Sequence, residues 1–176
     1  FDLDTNTLAS IGNTLFAGAG DDLDSSNPAS GVYSYDGTSW SALAGAVSGQ
    51  IVMALAYNGT ALLAASAADS DASGGIFRST DAGASWTEVT SNGLKTDAAW
   101  YRTLAVDPAN TDIIYAAHGR PAGTAEIYYS QDGGLNWALY YSGLTDEVPE
   151  VMLVDDLTMG SGVGFSGFSL ASGVSL

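Results

Sequence analysis

The feature that most constrains the fold of this chain is a segment that occurs three times and ends each time in tryptophan. The copies read GVYSYDGTSW, GIFRSTDAGASW and EIYYSQDGGLNW, and their tryptophans, Trp40, Trp86 and Trp137, lie 46 and 51 residues apart. About 23 residues before each tryptophan lies a second repeated segment, with the sequences TLFAGAG, ALLAASA and IIYAAHG. Two signals in constant order at such a period predict a repeat architecture.

Each repeat has the pattern of four short β-strands. In the second unit, Ile51–Tyr57 predicts a strand, Asn58-Gly59 suits a type I′ hairpin turn, and 61–66 predicts the returning strand. The remaining predicted strands are 75–79 and 86–90 in the second unit, and 102–106, 113–117, 126–130 and 137–141 in the third. Four antiparallel strands every 46 to 51 residues predict the blade of an all-β propeller.

Composition excludes several classes of function. The chain has 176 residues with 4 Lys+Arg against 20 Asp+Glu, and its formal net charge of −16 opposes binding to nucleic acid or to anionic lipid. Without cysteine it has no disulfide framework and no zinc finger, and a single histidine excludes a site with several histidines. Of the acids, 16 are Asp and 4 are Glu, a balance typical of turns rather than of helices.

An uncharged stretch from 37 to 68 is long enough to raise the question of a membrane-spanning helix. It contains the turn sequence Tyr-Asn-Gly-Thr at 57–60, so we interpret it as buried strands and expect no membrane insertion. The chain begins with Phe1, and no basic segment followed by an apolar one precedes the repeats. We therefore expect a chain that is processed or cut from something longer.

Two of the repeated segments resemble a known motif. Residues 79–86, STDAGASW, and 130–137, SQDGGLNW, resemble the Asp-box, or bacterial neuraminidase repeat, of pattern S-x-D-x-G-x-[ST]-W. The string LAVDPANTDIIYAA at 104–117 resembles the strand-turn-strand before Asp-boxes in sortilin-like propellers, xyloglucanase-type glycosidases and photosystem II assembly factors. The copy at 34–40 is one residue short, and Asn136 stands where the pattern has Ser or Thr. The resemblance covers about residues 5–142 and implies an Asp-box β-propeller.

The three segments 34–40, 79–86 and 130–137, called the box turns below, are predicted to be structural. Asp can accept backbone N–H groups across a turn, Gly adopts conformations closed to other residues, and Trp fills space between strands or blades. The resemblance implies turns at the propeller periphery, away from its substrate face. The predicted structural residues are Asp36, Trp40, Ser79, Asp81, Gly83, Trp86, Ser130, Asp132, Gly134 and Trp137.

The number of blades is smaller than a propeller needs. We predict blades at 1–47, 48–95 and 96–145, with a partial fourth blade and a Gly/Ser-rich tail at 146–176. Propellers contain four to eight blades, whereas this chain supplies about three and a half. The chain is then a piece of a larger propeller, a small four-bladed ring, or one of several copies that complete a wheel, and we favour the first and last because open blade edges invite assembly.

Glycosidase chemistry is the first activity that the resemblance suggests. A sialidase-like site implies an arginine triad, and the chain has only Arg78, Arg102 and Arg120, without an Arg-Ile-Pro motif. The Arg-Thr-Asp-Val-Gly-Gly context of a xyloglucanase-type catalytic Asp is also absent. We therefore predict a non-catalytic extracellular, cell-surface or periplasmic module that binds protein or carbohydrate, or further copies. The alternative is a fragment of a glycoside hydrolase whose catalytic residues lie partly outside this chain.

Several single residues have two interpretations each. His118 is interpreted as a polar loop residue rather than a catalytic base. Asn58-Gly59-Thr60 is a glycosylation sequon, but a tight hairpin turn demands the same residues. The pairs Trp100-Tyr101 and Tyr140-Tyr141 suit either a platform for sugar rings or packing between blades, and we favour packing.

Two acidic loops are the candidate metal site. Asp21, Asp22 and Asp24 follow the second predicted strand of the first unit, and Asp69 and Asp71 fall in the equivalent loop of the second. Alternating Asp oxygens suit Ca²⁺, although neither loop matches the EF-hand pattern. Solvated acidic loops are the competing interpretation. No other cofactor is predicted.

Chelation separates these two interpretations. If the loops hold Ca²⁺, a chelator should lower the Tm measured by calorimetry, and added Ca²⁺ should restore it. Asp22→Asn and Asp71→Asn should then reduce the response, because each removes a charged ligand. An unchanged Tm on chelation would leave two solvated loops.

Overall fold

The computed structural model describes residues 4–20, 30–67, 74–90, 92–96, 100–119 and 124–145. In these residues the chain forms twelve β-strands and no helix. The strands are β1 Thr5–Ile11, β2 Thr14–Ala19, β3 Gly31–Tyr35, β4 Trp40–Ala42, β5 Ile51–Tyr57, β6 Leu62–Ala67, β7 Ile76–Ser79, β8 Thr87–Glu88, β9 Tyr101–Val106, β10 Ile114–His118, β11 Thr124–Ser130 and β12 Ala138–Thr145.

The strands form three separate four-stranded antiparallel sheets, called blades 1, 2 and 3. Blade 1 holds β1 to β4, blade 2 holds β5 to β8 and blade 3 holds β9 to β12, and each strand pairs with its neighbour in sequence. This confirms the prediction of an all-β chain built from four-stranded antiparallel blades. The strand β5 has its predicted limits, and the other predicted strands differ at their ends.

Both faces of the middle blade are buried, because the blades pack face to face. All six residues of β6 are buried. Leu62 and Ala64 face blade 1, whereas Leu63 and Ala65 face blade 3. A strand that is covered on both faces needs apolar residues at successive positions rather than at alternate ones. The uncharged stretch predicted to be strand therefore contains β5 and β6, two strands of the core.

The two apolar layers are called the 1–2 seam and the 2–3 seam. In the 1–2 seam, Phe16 and Val32 of blade 1 pack against a group on blade 2: Val52, Leu55, Leu62, Phe77 and Trp86. In the 2–3 seam, Leu63 and Ile76 of blade 2 pack against a group on blade 3: Leu104, Ile114, Ala116, Tyr128 and Trp137. Burying each large side chain contributes about 1.5–3 kcal/mol, so these seams are the principal core.

The first strands of the three blades lie side by side. β1 packs against β5, and β5 packs against β9. The Leu55 N–H donates to Thr7 Oγ1 at 3.1 Å, and Asn6 Nδ2 donates to the Val52 carbonyl at 3.1 Å. The first strand of each blade is thus on the inside of a fan of sheets, and the fourth strand is on the outside.

The hairpin between β5 and β6 is not the predicted type I′ turn. Type I′ requires positive φ at both central residues, and Ala82 is the only non-glycine residue with positive φ in the described part of the chain. Instead the Asn58 N–H donates to the Ala61 carbonyl, and Asn58 Oδ1 accepts the N–H groups of Thr60 and Ala61. Asn58 is 3% exposed, which favours its turn role over glycosylation.

Some expectations concern residues outside the described part of the chain. The predicted partial fourth blade and tail at 146–176 lie there, as do Arg120 and the candidate calcium ligands Asp21, Asp22, Asp24, Asp69 and Asp71. The described residues contain no membrane-spanning helix.

Glycine-to-alanine substitutions should separate backbone strain from close packing. Gly134 has φ 85°, and an added Cβ would lie 2.5 Å from Leu63 Cδ2 in the 2–3 seam. Gly59 has φ 89°, and nothing lies within 4 Å of an added Cβ. Both substitutions should cost about 1–2 kcal/mol for a left-handed alanine, and Gly134→Ala should cost roughly 1–3 kcal/mol more for overpacking. Urea denaturation measures both, and equal losses would contradict the close approach.

Candidate functional site

The strand order gives each blade two distinct edges. Because neighbouring strands run in opposite directions, the connections β1–β2 and β3–β4 lie at one edge, and β2–β3 lies at the other. The box turns connect the third and fourth strands, so they share the first edge, called the box edge, with the Asn58 hairpin. The opposite edge contains the end of β10 and the starts of β9 and β11.

In the second box turn, Asp81 binds both ends of the turn. Its Oδ1 accepts the Ser85 N–H and the Ser79 hydroxyl, each at 2.8 Å, and its Oδ2 accepts the Ser85 hydroxyl at 2.5 Å. Ser79 Oγ in turn accepts the Gly83 N–H at 2.8 Å, and Trp86 Nε1 donates to the Gly83 carbonyl at 3.1 Å. The turn is therefore closed by its own side chains.

The third box turn repeats this network around Asp132. Its Oδ1 accepts the Ser130 hydroxyl at 2.8 Å and the Asn136 N–H at 2.9 Å. Asn136 Nδ2 donates to Asp132 Oδ2 at 2.7 Å, in the place of the Ser85 hydroxyl of the second turn. Gly134 N–H donates to Ser130 Oγ, and Trp137 Nε1 donates to the Gly134 carbonyl. The Asn136 side-chain amide therefore makes the hydrogen bond that a Ser or Thr hydroxyl makes in the usual motif. This explains how Asn can replace Ser or Thr at this position.

The first box turn is shorter and is held differently. Asp36 Oδ1 accepts the backbone N–H groups of Thr38 at 2.8 Å and Ser39 at 2.9 Å. The Trp40 ring lies 5.2 Å from that of Tyr35 and is half-buried, whereas Trp86 and Trp137 are buried.

Hydrogen bonding lowers the pKa of all three box carboxylates. The Ser85 hydroxyl, then the Ser85 N–H and the Ser79 hydroxyl, lower the pKa of Asp81 from 3.8 to about 2. The Ser39 and Thr38 N–H groups lower the pKa of Asp36. Burial acts to raise the pKa of Asp132, but bonds from Asn136, Ser130 and Leu135 outweigh it and lower the pKa. Such carboxylates are ionised at neutral pH and are unsuited to act as general acids.

Each complete box turn docks on the preceding blade. Arg78 Nε of blade 2 donates to the Gly133 carbonyl of the third turn at 2.9 Å. The link after blade 2 adds two bonds, from Asn92 Nδ2 to the Leu135 carbonyl and from the Trp137 N–H to the Asn92 carbonyl, both at 2.8 Å. In the 1–2 seam, Gly83 of the second turn lies against Leu43 and Phe16 of blade 1.

The opposite edge collects titratable side chains at the end of the 2–3 seam. Tyr128 donates its hydroxyl to Glu126 Oε2 at 3.0 Å, His118 Nδ1 lies 3.6 Å from the same oxygen, and Lys95 Nζ lies 3.8 Å from it. His118 is 6% exposed and is the last residue of β10, so its interpretation as a polar loop residue is wrong. The apolar strand before it places its ring in the seam, 5.1 Å from that of Tyr101.

Beside this cluster lies a partly exposed aromatic residue. The Arg102 guanidinium carbon lies 5.4 Å from the centre of the Trp100 ring, within cation–π distance. Trp100 is half-buried, and it pairs with Ala67 of blade 2 through an isolated bridge. Tyr101 is fully buried and donates its hydroxyl to the Lys95 carbonyl at 2.9 Å, so it packs between blades as favoured. The interpretation of Trp100 as a platform for a sugar ring stays a prediction.

The sequence could have signalled part of this cluster. In the repeated segments ALLAASA and IIYAAHG, His118 aligns with Ser66, which donates its hydroxyl to Gln50 Oε1 at 3.2 Å in the 1–2 seam. The position is therefore polar in both blades. No sequence pattern indicates that Glu126 belongs to this cluster, because its proximity to His118 depends on the pairing of β10 with β11.

Tyr140 and Tyr141 of the second aromatic pair differ in environment. The Tyr140 ring lies edge-on to those of Tyr115 and Tyr129, both at 5.8 Å, so it packs within blade 3 and not between blades as favoured. Tyr141 is 49% exposed. Among the residues whose structure is described, no group of three or more His, Asp or Glu side chains could hold a metal ion.

Solved structures resemble this arrangement of blades. The xyloglucanase of glycoside hydrolase family 74 (GH74) from Xanthomonas campestris is 22% identical over 73% of this chain and 19% of its own, with a TM-score of 0.55. A GH74 enzyme of Niastella koreensis is 18% identical over 78% of this chain and 21% of its own, with a TM-score of 0.55. An ancestral GH74 enzyme is 20% identical over 85% of this chain and 20% of its own, with a TM-score of 0.61.

These similarities establish the fold alone. The chain has the fold of part of a β-propeller and spans about a fifth of the length of each solved structure. Its sequence matches no family model and no curated protein.

Acid titration should reveal the charge of Asp81. Because the folded pKa lies below its usual value, the carboxylate stabilises the fold fully above about pH 4 and loses this effect as the pH falls through about 2. Thermal unfolding of Asp81→Asn should show a lower Tm than the parent at pH 6, and the difference should shrink towards pH 2. Ser41→Ala, an exposed change on β4, is the control. A pH-independent difference would contradict the role of this charge.

Proposed function

We propose that this chain is part of an extracellular β-propeller that binds carbohydrate without cleaving it. The saccharide would lie at the opposite edge, beside Trp100 and the Glu126 cluster of Lys95, His118 and Tyr128. The observation that carries this proposal is the convergence of a half-buried indole with charged side chains at the end of the 2–3 seam. The Asp-rich, Lys-poor composition supports the extracellular location.

The chemistry of this edge suits a neutral sugar. Sugar rings present C–H faces that pack on indole and hydroxyl groups that bond to charged side chains, and Trp100, Arg102 and Glu126 supply both kinds of partner. Glu126 has 19% of its side chain exposed and Lys95 has 38%, so both charges can reach a ligand. With a net charge of −16, the chain would disfavour anionic polysaccharides.

The proposed role of the box turns is structural, in keeping with the Asp-box resemblance. Their carboxylates already accept several hydrogen bonds within the turn, and Trp86 and Trp137 are buried in the seams. Few acceptor positions are left for a ligand. The turns would hold the blades together while the opposite edge provides the binding surface.

Hydrolysis is the second candidate, because the solved structures of similar fold include a xyloglucanase. Glycosidic cleavage requires two carboxylates at a defined separation. Among the described residues, Glu126, beside His118 and Lys95, is a candidate for one of them, and the second carboxylate would come from elsewhere in a longer protein. Release of reducing ends from xyloglucan, abolished by Glu126→Gln, would establish this alternative. We expect no release.

Removal of one ring tests the proposed binding edge. Trp100→Ala should weaken binding of a xyloglucan oligosaccharide about tenfold, roughly 1.4 kcal/mol, because the stacking surface is lost. Isothermal titration calorimetry measures the Kd, and circular dichroism verifies the fold of the variant. Tyr57→Ala is the control, because Tyr57 is an aromatic residue 37% exposed at the box edge. Equal affinity of parent and Trp100→Ala, or loss with Tyr57→Ala alone, would contradict the placement of the site.

A further inference from the structure

A β-bulge occurs at the same position in the first strand of each blade. The pairing with the second strand passes over one residue, which is Asn6 in β1, Met53 in β5 and Arg102 in β9. In every blade this extra residue lies opposite the same step of the second strand, at 18–19, 65–66 and 117–118. The bulges are therefore part of the repeat. A bulge redirects a side chain, and bulges are frequent beside binding sites.

The bulges change which face of the blade the neighbouring residues cover. Residues two positions apart share a face in a regular strand. Val52 nevertheless packs in the 1–2 seam and Ala54 in the 2–3 seam, and Met53 between them belongs to neither apolar cluster. In β9, Tyr101 and Leu104 are three positions apart, and both pack in the 2–3 seam. The extra residue of β5 is thus left outside both layers of the core.

The side chains at the second and third bulges are accessible among buried neighbours. Met53 is half-buried, although the residues before and after it in β5 are 0% and 8% exposed. Arg102 is half-buried between residues of β9 that are 0% and 6% exposed. Both lie near the starts of their strands, at the opposite edge, and β5 packs beside β9. Met53 and Arg102 therefore occupy equivalent places on adjacent strands at the proposed saccharide edge.

The first bulge has a structural use that the other two do not share. Asn6 Nδ2 donates to a carbonyl of its own blade at 2.8 Å and to the Val52 carbonyl of blade 2 at 3.1 Å. The Met53 side chain has no N–H or O–H with which to bond blade 3. The Arg102 guanidinium lies over the Trp100 ring. The bulge side chain thus joins two blades in blade 1, whereas blades 2 and 3 carry a thioether and a cation at the same place.

We propose that Met53 extends the saccharide site of Trp100 and Arg102 into blade 2, and that the extended site takes a linear chain of neutral sugars. This inference rests on the function proposed above and adds Met53 as a specificity-determining residue. Arg102 donates to hydroxyl groups of one ring through its fork of N–H groups. Met53 packs on the C–H face of a following ring, because a flexible thioether adapts to an irregular apolar surface.

The spacing of the blades sets the length of the ligand. Stacked sheets lie about 10 Å apart, roughly the length of two sugar rings. A ligand that packs on Trp100 at blade 3 and on Met53 at blade 2 therefore contains several linked rings. A thioether offers no partner to a carboxylate or sulfate group, and the net charge of −16 repels both. These features favour neutral chains over acidic ones.

Substitution of Met53 tests the extended site. Met53→Ala should raise the Kd for a xyloglucan oligosaccharide about fivefold, whereas Met53→Leu, which keeps an apolar side chain of similar volume, should stay within about twofold of the parent. If Met53→Ala fails to fold by circular dichroism, Met53→Gln takes its place, because it keeps the length and removes the apolar surface. Titration calorimetry measures each Kd. An unchanged Kd for the Ala and Gln variants would overturn the proposal.

Leu8→Ala is the matched control. Leu8 is an apolar residue of a first strand and is 57% exposed, but it faces away from blade 2 because its neighbour Ala9 packs in the 1–2 seam. Its substitution should leave the Kd within about twofold of the parent. A loss of affinity equal to that of Met53→Ala would show an effect that is not specific to the bulge and would overturn the proposal.

Ligand length separates this inference from the proposed function. The short probe is isoprimeverose, a disaccharide of xylose and glucose, measured by competition. The parent should bind the oligosaccharide about tenfold more tightly than the disaccharide, and Met53→Ala should weaken binding of the oligosaccharide alone. Equal affinity of the parent for both ligands would overturn the extended site and leave the proposed site at Trp100 in place. Absence of binding to either ligand would overturn both proposals.

Discussion

The docking of the second and third box turns on the preceding blade is the interaction on which the rest of the structure depends. A four-stranded sheet with two apolar faces is not stable alone, because both faces must be covered. The Asp81 and Asp132 networks close the turns within eight residues of sequence, and the closed turns place Trp86 and Trp137 into the seams. Local hydrogen bonding thereby positions the two indole rings that pack between the sheets.

The sequence predicts what is local or repeated. The period of the tryptophans, the apolar run of β6 and the box turns each depend on residues close in sequence, so the blades could be predicted from them. Contacts between segments that are distant in sequence could not be predicted in this way. Arg78 and Gly133 are 55 positions apart, and their bond depends on how two sheets pack. The clustering of His118, Lys95 and Tyr128 around Glu126 depends likewise on strand pairing and on the link between blades.

The two edges of the blades carry different kinds of side chain. At the box edge, carboxylates with lowered pKa are occupied by hydrogen bonds within the turns. At the opposite edge, the same repeat positions carry different side chains, Ser66 in blade 2 and His118 in blade 3. Substitution at that edge changes the polar contacts of a buried position and leaves the box turns intact. One repeated scaffold can therefore hold different polar groups at equivalent positions.

The pairing of every strand with its sequence neighbour has a consequence for how such chains change over generations. Duplication or deletion of one unit leaves each remaining strand with its own partners, since the sheets formed by the described residues each contain the strands of one blade, and only the isolated Ala67–Trp100 bridge joins two of them. The new junction is again a box turn on a preceding blade. The unequal spacings of 46 and 51 residues are consistent with insertions in the connections. The length of the gene can therefore vary by whole blades while the connectivity of the protein is preserved.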